Sequence, residues 1–381
     1  MPPRFKHTDL QIVEPEFSSS LTDTIIELDH LRRKKSGGTT HPKIFSQLKS
    51  IFHLLESIGS ARIEGNNTTI AEVIETKLDR PAAIKESIRE IENSEQAMDF
   101  IDKAIDKSTV ISKAFVLELH KRTVAGLTTE GDRTPGQYRR NPVTIGGSSH
   151  LPPEHIQVDS YMEDLIDFIN RQDSHKYDLL KTAIAHHRFV WIHPFNNGNG
   201  RVVRLLTYAM LIKHGFNVQK DRILNPTAIF CIDRDKYYTM LAQADAGSKA
   251  GTLIWCEYVL NGLLVEINKI DRLSDHRYLE HKILTPAIDY CRNRGTINDL
   301  ESAILKVAIK KMEFQSGDIA HLMKGKIPAE RSRVLAGMKK LRLIEPTTDR
   351  GRKYLISFAN NYLLRGVIHA LRQESFIALS E

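Results

Sequence analysis

The sequence predicts a mainly α-helical protein with two short β-hairpins, one within the helical core and one near the C-terminus. Apolar residues recur at the three-to-four residue spacing of amphipathic helices over most of the chain. Glycine and proline, which interrupt helices, cluster chiefly at 131–153 and 193–200. The chain has no internal repeat. We therefore expect helices joined by a few glycine- and proline-rich loops.

The composition is that of an ordinary globular protein, with 41% hydrophobic and 27% charged residues. No apolar run of about 18 residues predicts a membrane span, and the N-terminus has no apolar segment typical of a signal peptide. Cys231, Cys256 and Cys291 are scattered, which argues against a disulfide framework or a cysteine-rich zinc site. We expect a cytoplasmic protein with no membrane partner.

The N-terminal part of the chain contains several stretches with helical spacing. Residues 1–40 are mixed and end in the basic stretch RRKKSGG, a predicted linker or solvated turn. From Pro42 to about Leu78 the apolar residues follow the helical period. Two further sets of helical residues lie at about 81–107 and 111–127. The apolar face of the first helix comprises Phe45, Leu48, Ile51, Phe52, Leu55 and Ile58.

The segment 131–153 is too rich in proline and glycine for a helix. Its β-prone residues 143–145, closed by Gly146 and Gly147, predict an exposed hairpin at 138–150. Helices follow at about 155–171 and 176–191. The loop HPFNNGNG then leads into the apolar helix RVVRLLTYAMLIKHG, and further helices continue to about residue 295.

Residues 300–358 differ in character from the rest of the chain. Helical AILKVAIKKM precedes SGDIAHLMKG, PAERSRVLAGMKKLRLI and a hairpin at DRGRKYLI, the outline of a winged helix-turn-helix. Residues 301–353 hold thirteen Lys or Arg against six Asp or Glu, a difference of +7 that equals the formal net charge of the chain. These charges either contact DNA phosphates or are solvated on a domain used for dimerisation or target docking. Those on or near the second helix and in the wing are Arg331, Arg333, Lys339, Lys340, Arg342, Arg350, Arg352 and Lys353.

The strongest functional signal lies between His193 and Arg204. Gly198 and Gly200 lack side chains where a loop enters a helix, so backbone N–H groups can face an anion at the positive end of the helix dipole. Arg201 and Arg204 are three residues apart and share one helical face. Two guanidinium groups beside such amides suit a di- or triphosphate. The imidazole of His193 can take a proton from an incoming hydroxyl near neutral pH.

The segment HPFNNGNGRVVR resembles the Fic signature H-P-F-x-(D/E)-G-N-G-R-x-x-R at every fixed position but one. The resemblance implies a Fic helical core and a protein adenylyltransferase, which moves AMP from ATP onto a Ser, Thr or Tyr hydroxyl of a target protein or of itself. It implies that His193 deprotonates this hydroxyl and that Phe195 packs in the core. It also implies that Arg201 binds the β-phosphate and Arg204 the γ-phosphate. The full set of candidate phosphate-binding residues is Gly198, Asn199, Gly200, Arg201, Val202, Val203 and Arg204.

Two positions of the signature refine what the resemblance implies. Gly200 stands where the Doc-type kinase branch has a lysine, which implies attack on the α-phosphate and transfer of AMP rather than of phosphate. Asn197 stands where most Fic proteins place the Asp or Glu that holds Mg²⁺. An amide oxygen can coordinate Mg²⁺ or Mn²⁺ but lacks the charge that tightens binding, so we expect a weak metal site at Asn197.

Ser60 and Glu64 match the Fic inhibitory motif (S/T)-x-x-x-E-(G/N), at the end of an inhibitory helix at about 45–65. The resemblance implies that Glu64 pairs with Arg204 and occupies the cation meant for the γ-phosphate. ATP would then bind with a misaligned α-phosphate, which slows transfer on the order of 10²-fold. A plain helix end with the C-cap glycine Gly65 is the alternative.

Two further sets of residues are candidates for target docking and base binding. The predicted hairpin falls where Fic proteins carry a flap that docks the target as an added strand. A plain surface hairpin is the alternative for this segment, and simple core packing is the alternative for the base-binding set. The flap candidates are Val143, Thr144, Ile145 and Gly146, and the base-binding candidates are Tyr237, Tyr238 and Asp245.

The elements and the resemblance together predict three consecutive domains. These are an N-terminal helical region at 1–107, a Fic catalytic domain at 108–295 and a winged helix-turn-helix domain at 296–381. The alternatives to AMP transfer are a nucleotide-sensing DNA-binding regulator with weak turnover and an enzyme that removes AMP. The expected partners are ATP, a protein target and, through the winged helix, DNA; a homodimer would fit the winged helix.

Overall fold

Helices form most of the regular structure in the computed structural model, which describes residues 5–33, 38–79, 81–146, 148–216, 228–348 and 351–377. The predicted mainly α-helical class is therefore confirmed. The helices up to Asp271 are α1 (Ser20–Arg33), α2 (Pro42–Ile63), α3 (Ile70–Asp79), α4 (Glu86–Ala104), α5 (Lys113–Thr123), α6 (Val158–Asn170), α7 (Asp178–Ile192), α8 (Asn199–Lys213), α9 (Ala228–Ile232), α10 (Arg234–Asp245) and α11 (Lys249–Asp271).

Shorter helices and the two strands follow α11. The short helix α12 continues through a π-helical stretch, Leu279–Leu284, into α13. A capping box between Asn298 and Glu301 starts α14, as this pair of residue types favours at a helix N-terminus. These elements are α12 (His276–Tyr278), α13 (Thr285–Asn293), α14 (Asp299–Lys311), α15 (Pro328–Lys340), β1 (Ile344–Pro346), β2 (Tyr354–Ile356) and α16 (Leu363–Gln373).

The chain divides into two compact units, and neither unit is continuous in sequence. The residues 60–65 belong to the same unit as the loop and helix at 193–204. The three consecutive domains expected from the sequence stay a prediction. Unit 1 comprises Met1–Lys35, Glu56–Thr68 and Ile84–Asn268, and unit 2 comprises Ser36–Leu55, Thr69–Ala83 and Lys269–Glu381.

The central helix of unit 1 is α8, in which every residue from 201 to 212 is buried. It packs against α4, α5 and α7. Its sequence is apolar almost all round, which is typical of a helix with neighbours on several sides. Burial on these sides fixes the N-terminal end of α8 and the loop that leads into it.

Among the described residues, one helical stretch, 249–274, is long and apolar enough to cross a membrane by length and composition. Helices in protein cores pass the same test. Trp255, Leu260 and Leu263 of α11 are at most 2% exposed and belong to the hydrophobic core of unit 1. These contacts are those of a core helix.

In unit 2, α13 packs against α14 and α16, and β1 pairs with β2 as an antiparallel hairpin. The helix α14, a 3₁₀ turn at Ala320–Leu322, α15 and the hairpin follow one another in the order expected from the sequence. The assignment of a winged helix-turn-helix stays a prediction. Arg350, one of the residues assigned to the wing, lies outside the described residues.

The segment 138–150 differs from the hairpin expected there: its described residues contain no strand, and among them only His150 forms a β-bridge. Gly147, part of the predicted turn, lies outside the described residues. A two-stranded ribbon without a third strand is marginally stable, and Pro142 cannot donate a ladder hydrogen bond. The segment is instead held by a buried arginine, Arg139, at the candidate active site.

Gly366 allows a close contact between α13 and α16 in unit 2. A Cβ atom there would clash with the main-chain oxygen of Ala287. We expect Gly366→Ala to lower the free energy of unfolding of unit 2 by about 1–3 kcal/mol, because overpacking displaces backbone. Urea unfolding followed by circular dichroism measures this change.

The matched control is Gly337→Ala on α15, where an added Cβ meets no atom within 4 Å. Alanine is the better helix former, so this variant should gain roughly 0.5–1 kcal/mol. Equal effects of the two substitutions would contradict the close contact of α13 with α16.

Candidate active site

His193 follows the last residue of α7 and has a left-handed backbone, with φ of 50°. Its N–H donates to the carbonyl of Phe189 at 3.0 Å, which ends the helix. The ring Nδ1 lies 3.4 Å from the carbonyl oxygen of Val190. A carbonyl can only accept, so this contact puts the hydrogen on Nδ1 and the lone pair on Nε2. The ring is therefore oriented to accept a proton at Nε2.

The surroundings of His193 keep its ring neutral. Burial lowers its pKa to about 4, and the carbonyl of Val190 opposes this effect. The guanidinium of Arg139 also lowers the pKa, whereas the carboxylate of Glu64 raises it. A neutral imidazole near pH 7 is the form that a general base requires.

The loop after His193 is fixed by buried side chains. Phe195 is fully buried and stacks on His120, with ring centroids 3.8 Å apart and planes inclined by 7°. The side chain of Asn199 accepts from the N–H of Phe195 at 2.9 Å and donates to its carbonyl at 2.8 Å. Phe195 thus lies in the core. The amide of Asn199 closes the loop upon itself, so it is not free for a phosphate.

The start of α8 presents backbone donors to the site. Gly198, the N-cap residue, has φ of 78°, a conformation that favours glycine. The first intrahelical bond joins the N–H of Val202 to the carbonyl of Gly198 at 3.0 Å. The N–H groups of residues 199–201 precede this bond and have no acceptor within the helix. These amides and the positive end of the helix dipole suit an anion.

Val202 and Val203 do not offer groups to a phosphate in this structure, which differs from the expectation. Both side chains are fully buried in the core of unit 1. The N–H of Val202 is used by the carbonyl of Gly198. The apolar side of α8 thus starts directly after its first turn.

Arg204 is held by the two residues singled out in the inhibitory motif. Its Nε donates to the hydroxyl of Ser60 at 2.8 Å, and its Nη2 donates to the carbonyl of Ser60 at 2.9 Å. The same Nη2 lies 2.7 Å from Oε1 of Glu64. Burial lowers the pKa of Arg204, and Glu64 more than offsets this, so the pKa is raised. Segment 60–64 therefore binds both Nε and Nη2 of Arg204.

Glu64 lies against the N-terminal end of α8. A Cβ atom at Gly200 would clash with Oε1 of Glu64. Burial raises the pKa of Glu64, but Arg204 and then Arg201 more than offset it, so the pKa is lowered and the carboxylate stays ionised. Gly200 therefore leaves the room in which this carboxylate sits.

Arg201 is held by different residues. Its Nη1 lies 2.9 Å from Oε1 of Glu90 on α4, and its Nη2 donates to the main-chain oxygen of Glu130 at 2.8 Å. The Glu130 carboxylate lies 3.6 Å from the same nitrogen. The Arg201 side chain is 1% exposed. Both arginines of the signature are thus paired with carboxylates of the chain.

Asn197 is surrounded by hydrogen-bond donors. Its amide oxygen accepts from the N–H of Gly198 at 2.6 Å and lies 3.5 Å from Nη2 of Arg201. Its main-chain oxygen lies 3.2 Å from Nε2 of His120. These surroundings fit a hydrogen-bond acceptor and do not fit a cation ligand.

The segment expected to form a flap is attached to the active-site loop through Arg139. The main chain of Arg139 donates to Pro194, and its Nε donates to the carbonyl of His193, both at 2.8 Å. Its Nη2 donates to the carbonyl of Pro153 at 2.6 Å. The segment is therefore anchored at both ends beside His193. Of the four flap candidates, Val143 and Ile145 are half-buried, and Thr144 and Gly146 are exposed.

The structure separates the three base-binding candidates. Tyr237 is 2% exposed, and its hydroxyl lies 2.9 Å from Nε2 of the buried His186, which is the placement of a core residue. Tyr238 is 41% exposed. Asp245 lies 2.8 Å from Nε2 of His187. Of the two tyrosines, Tyr238 presents a ring to solvent.

Four residues of the site were missed in the sequence: Glu90, Glu130, His120 and Arg139. Glu90 carried a usable signal, because it stands at an apolar position of α4, seven residues before the buried Ala97. A charge on an apolar face is informative, since it must be paired when buried. The other three stand in ordinary polar surroundings and had no such signal.

Comparisons with known proteins agree with this architecture. The family model described as Fic/DOC family matches residues 110–211, which include the loop after α7 and most of α8. The chain therefore contains a Fic domain. The protein adenylyltransferase Fic of Drosophila willistoni is 32% identical over 200 residues, which are 51% of this chain and 37% of that protein. The chain thus spans little more than a third of the length of this relative.

Two solved structures have a similar fold. A Fic family protein from Desulfovibrio desulfuricans has a TM-score of 0.56 at 19% identity, over 92% of this chain and 98% of that chain. A signaling protein from Bacteroides thetaiotaomicron that contains a Fic domain has a TM-score of 0.53 at 17% identity, over 67% and 97%. The structural similarity to the Desulfovibrio desulfuricans protein thus covers more of the chain than the sequence similarity to the fly protein does.

His120 makes the stability of unit 1 depend on pH. Burial lowers the pKa of this fully buried ring to about 4. In the unfolded chain a histidine titrates near 6.5, so between these values the unfolded state binds more protons and stability falls as the pH falls. From pH 7 to pH 5, His120 alone should lower the free energy of unfolding by about 2 kcal/mol. Tryptophan fluorescence in urea reports on unit 1, because Trp191 and Trp255 lie in its core.

The variant His120→Gln keeps an acceptor for the N–H of Gly136, which donates to the His120 ring at 2.9 Å. It should reduce the proton uptake on unfolding by about one. A stability of unit 1 that is equal at both pH values would contradict a neutral, buried His120.

Proposed function

We propose that this protein is an adenylyltransferase that moves AMP from ATP to a hydroxyl side chain of a protein, or of itself, and that Glu64 limits its resting rate. The observation that carries the proposal is the convergence of three features in unit 1. These are a neutral His193, the amides at the start of α8 that have no acceptor within the helix, and Arg204. The name of the fly relative, protein adenylyltransferase, supports the reaction type.

His193 acts as the general base. Its Nε2 takes the proton of the target hydroxyl, and the hydroxyl oxygen attacks the α-phosphorus of ATP. The bond from this phosphorus to the oxygen bridging to the β-phosphate breaks, and pyrophosphate leaves. Since the pKa of His193 is about 4, the base is available throughout the neutral range.

The start of α8 binds the phosphates. The amides of residues 199–201 point toward the anion, as at other helix N-termini that bind phosphate. Arg204 binds the γ-phosphate and Arg201 lies beside the β-phosphate. Gly200 leaves space for an anionic group at this position, and Glu64 fills that space in the structure.

Glu64 and the γ-phosphate compete for Arg204. The carboxylate lies 2.7 Å from Nη2, and the guanidinium is 1% exposed, so their attraction is little screened by water and salt. ATP places its γ-phosphate on Arg204 only when Glu64 leaves. Until then the α-phosphate is not aligned with His193, and transfer is slow.

The surroundings of Asn197 do not fit a metal ion. The resemblance implies Mg²⁺ at residue 197, where it would screen phosphate charge. The amide oxygen of Asn197 instead accepts from Gly198 and lies near the positively charged Arg201. His193, the amides at the start of α8 and the two arginines therefore carry out the transfer.

The protein target docks beside His193 along residues 143–146. Thr144 and Gly146 are exposed, so their main chain can pair with an extended segment of the target. Arg139 fixes this segment to the main chain of His193, which sets the distance between docked target and base. Tyr238 is the aromatic candidate for stacking on the base of the nucleotide.

The substitution Glu64→Gly should raise the incorporation of AMP on the order of 10²-fold, because ATP can then use Arg204. His193→Ala in the same background should abolish it. Incorporation of label from ATP labelled at the α-phosphate measures this transfer, and label at the γ-phosphate should not be incorporated.

Glu64→Gln is the matched control, since it keeps the size of the side chain and loses only its charge. It should also release transfer, to a smaller extent, because its amide oxygen can still accept from Arg204. A Glu64→Gly protein no more active than the wild type would disprove the inhibition. Loss of AMP from a modified protein would instead favour the removal of AMP as the activity.

We further propose that the C-terminal part of unit 2 contacts DNA phosphates. Arg333, Lys339 and Lys340 of α15 are exposed, as is Arg342 directly after it. Phosphate contacts release counterions, so the affinity for duplex DNA should fall steeply between about 50 and 200 mM salt. The double variant Lys339→Glu, Lys340→Glu should weaken binding and flatten the salt dependence. Affinity that does not change with salt would exclude this interface.

A further inference from the structure

Arg201 is fixed by residues outside the signature. It lies 2.9 Å from Glu90, and the two side chains are 1% and 3% exposed. Loss of either partner of such a buried pair leaves an uncompensated charge, so the pair is costly to break. Beside this ion pair, Nη2 of Arg201 donates a hydrogen bond to the main-chain oxygen of Glu130 at 2.8 Å. The position of this guanidinium is therefore set before any nucleotide arrives.

Glu90 is in turn oriented by Asn66. The Asn66 amide donates to Oε2 of Glu90 at 2.7 Å and to the carbonyl of Ser87 at 2.7 Å. The main-chain N–H of Asn66 donates to the carbonyl of Ala61 at 3.1 Å. Asn66 therefore connects the segment that carries Ser60 and Glu64 to the carboxylate that holds Arg201.

We propose that Glu90 is a positioning residue that holds Arg201 at the start of α8, and that Asn66 couples it to segment 60–65. The proposal rests on the proposed function in one respect, that Arg201 faces the phosphates of the nucleotide. Segment 60–65 then acts differently on the two arginines. Glu64 withholds Arg204 from ATP, whereas Asn66 and Glu90 keep Arg201 in place to receive it.

The competing role for Glu90 is that of a second inhibitory carboxylate. Removal of a negative charge near the phosphates would then tighten the binding of ATP. Removal of a positioning group weakens it, because Arg201 must be ordered during binding. The sign of the change in ATP affinity distinguishes the two roles.

The experiment uses the full chain with Glu64→Gly as the parent and ATP as the ligand. Calorimetry gives Kd, and AMP incorporation gives KM and kcat. Glu90→Gln should raise Kd and KM about tenfold with a smaller change in kcat. Asn66→Ala leaves the Glu90 side chain in place and should raise Kd less, in the same direction. Glu92→Gln makes the same charge change on α4 and should leave Kd unaltered.

Tighter or unchanged binding of ATP to the Glu90→Gln protein would overturn the proposal. Tryptophan fluorescence shows whether the Glu90→Gln protein folds. If it does not, the Kd values for ATP of the Asn66→Ala and Glu92→Gln proteins are compared. Equal values would then overturn the proposal. If the variants bind ATP with the expected order of affinities but the parent transfers no AMP, the proposed reaction is wrong and the positioning role of Glu90 stands. A parent that binds no ATP would overturn both.

Discussion

The buried contact of Glu64 with Arg204 is the interaction on which the candidate site depends. Arg204 is 1% exposed and cannot reach water, whereas the Glu64 side chain is 27% exposed. A buried cation without an anion is costly, so Arg204 always requires a negative partner. Glu64 can move to water when another anion replaces it, and the arginine cannot. The carboxylate is therefore the mobile partner, and a phosphate is a fitting replacement.

The two arginines of the signature differ in how easily a phosphate can replace their carboxylate partners. Arg204 is paired with a partly exposed carboxylate on a segment that ends at a glycine, Gly65. Arg201 is paired with Glu90, which is as buried as Arg201 itself. One pair is suited to competition with a ligand and the other to rigidity. This difference follows from burial, although both residues lie in the same short motif.

Much of the helical fold and the centre of the site could be predicted from the sequence. The apolar period located most helices, and the segments 60–65 and 193–204 contain the residues that the structure brings together. The pairing of Glu90 with Arg201 could not be predicted, because nothing local links two residues so far apart in the chain. The prediction of a hairpin at 138–150 was wrong for its described residues. Residues that favour β structure form a ladder only when partner strands lie beside them. Val202 and Val203 were named among the phosphate-binding candidates, whereas their side chains lie in the core.

The most direct test of the central claim, that Glu64 and the γ-phosphate compete for Arg204, compares the affinities for ATP and ADP. Both are measured by calorimetry with Glu64 and with Glu64→Gly, in a His193→Ala background that prevents turnover. ADP lacks the γ-phosphate, so the account predicts that Glu64→Gly strengthens the binding of ATP and leaves that of ADP nearly unchanged. An equal gain for both nucleotides, or no gain for ATP, would contradict it.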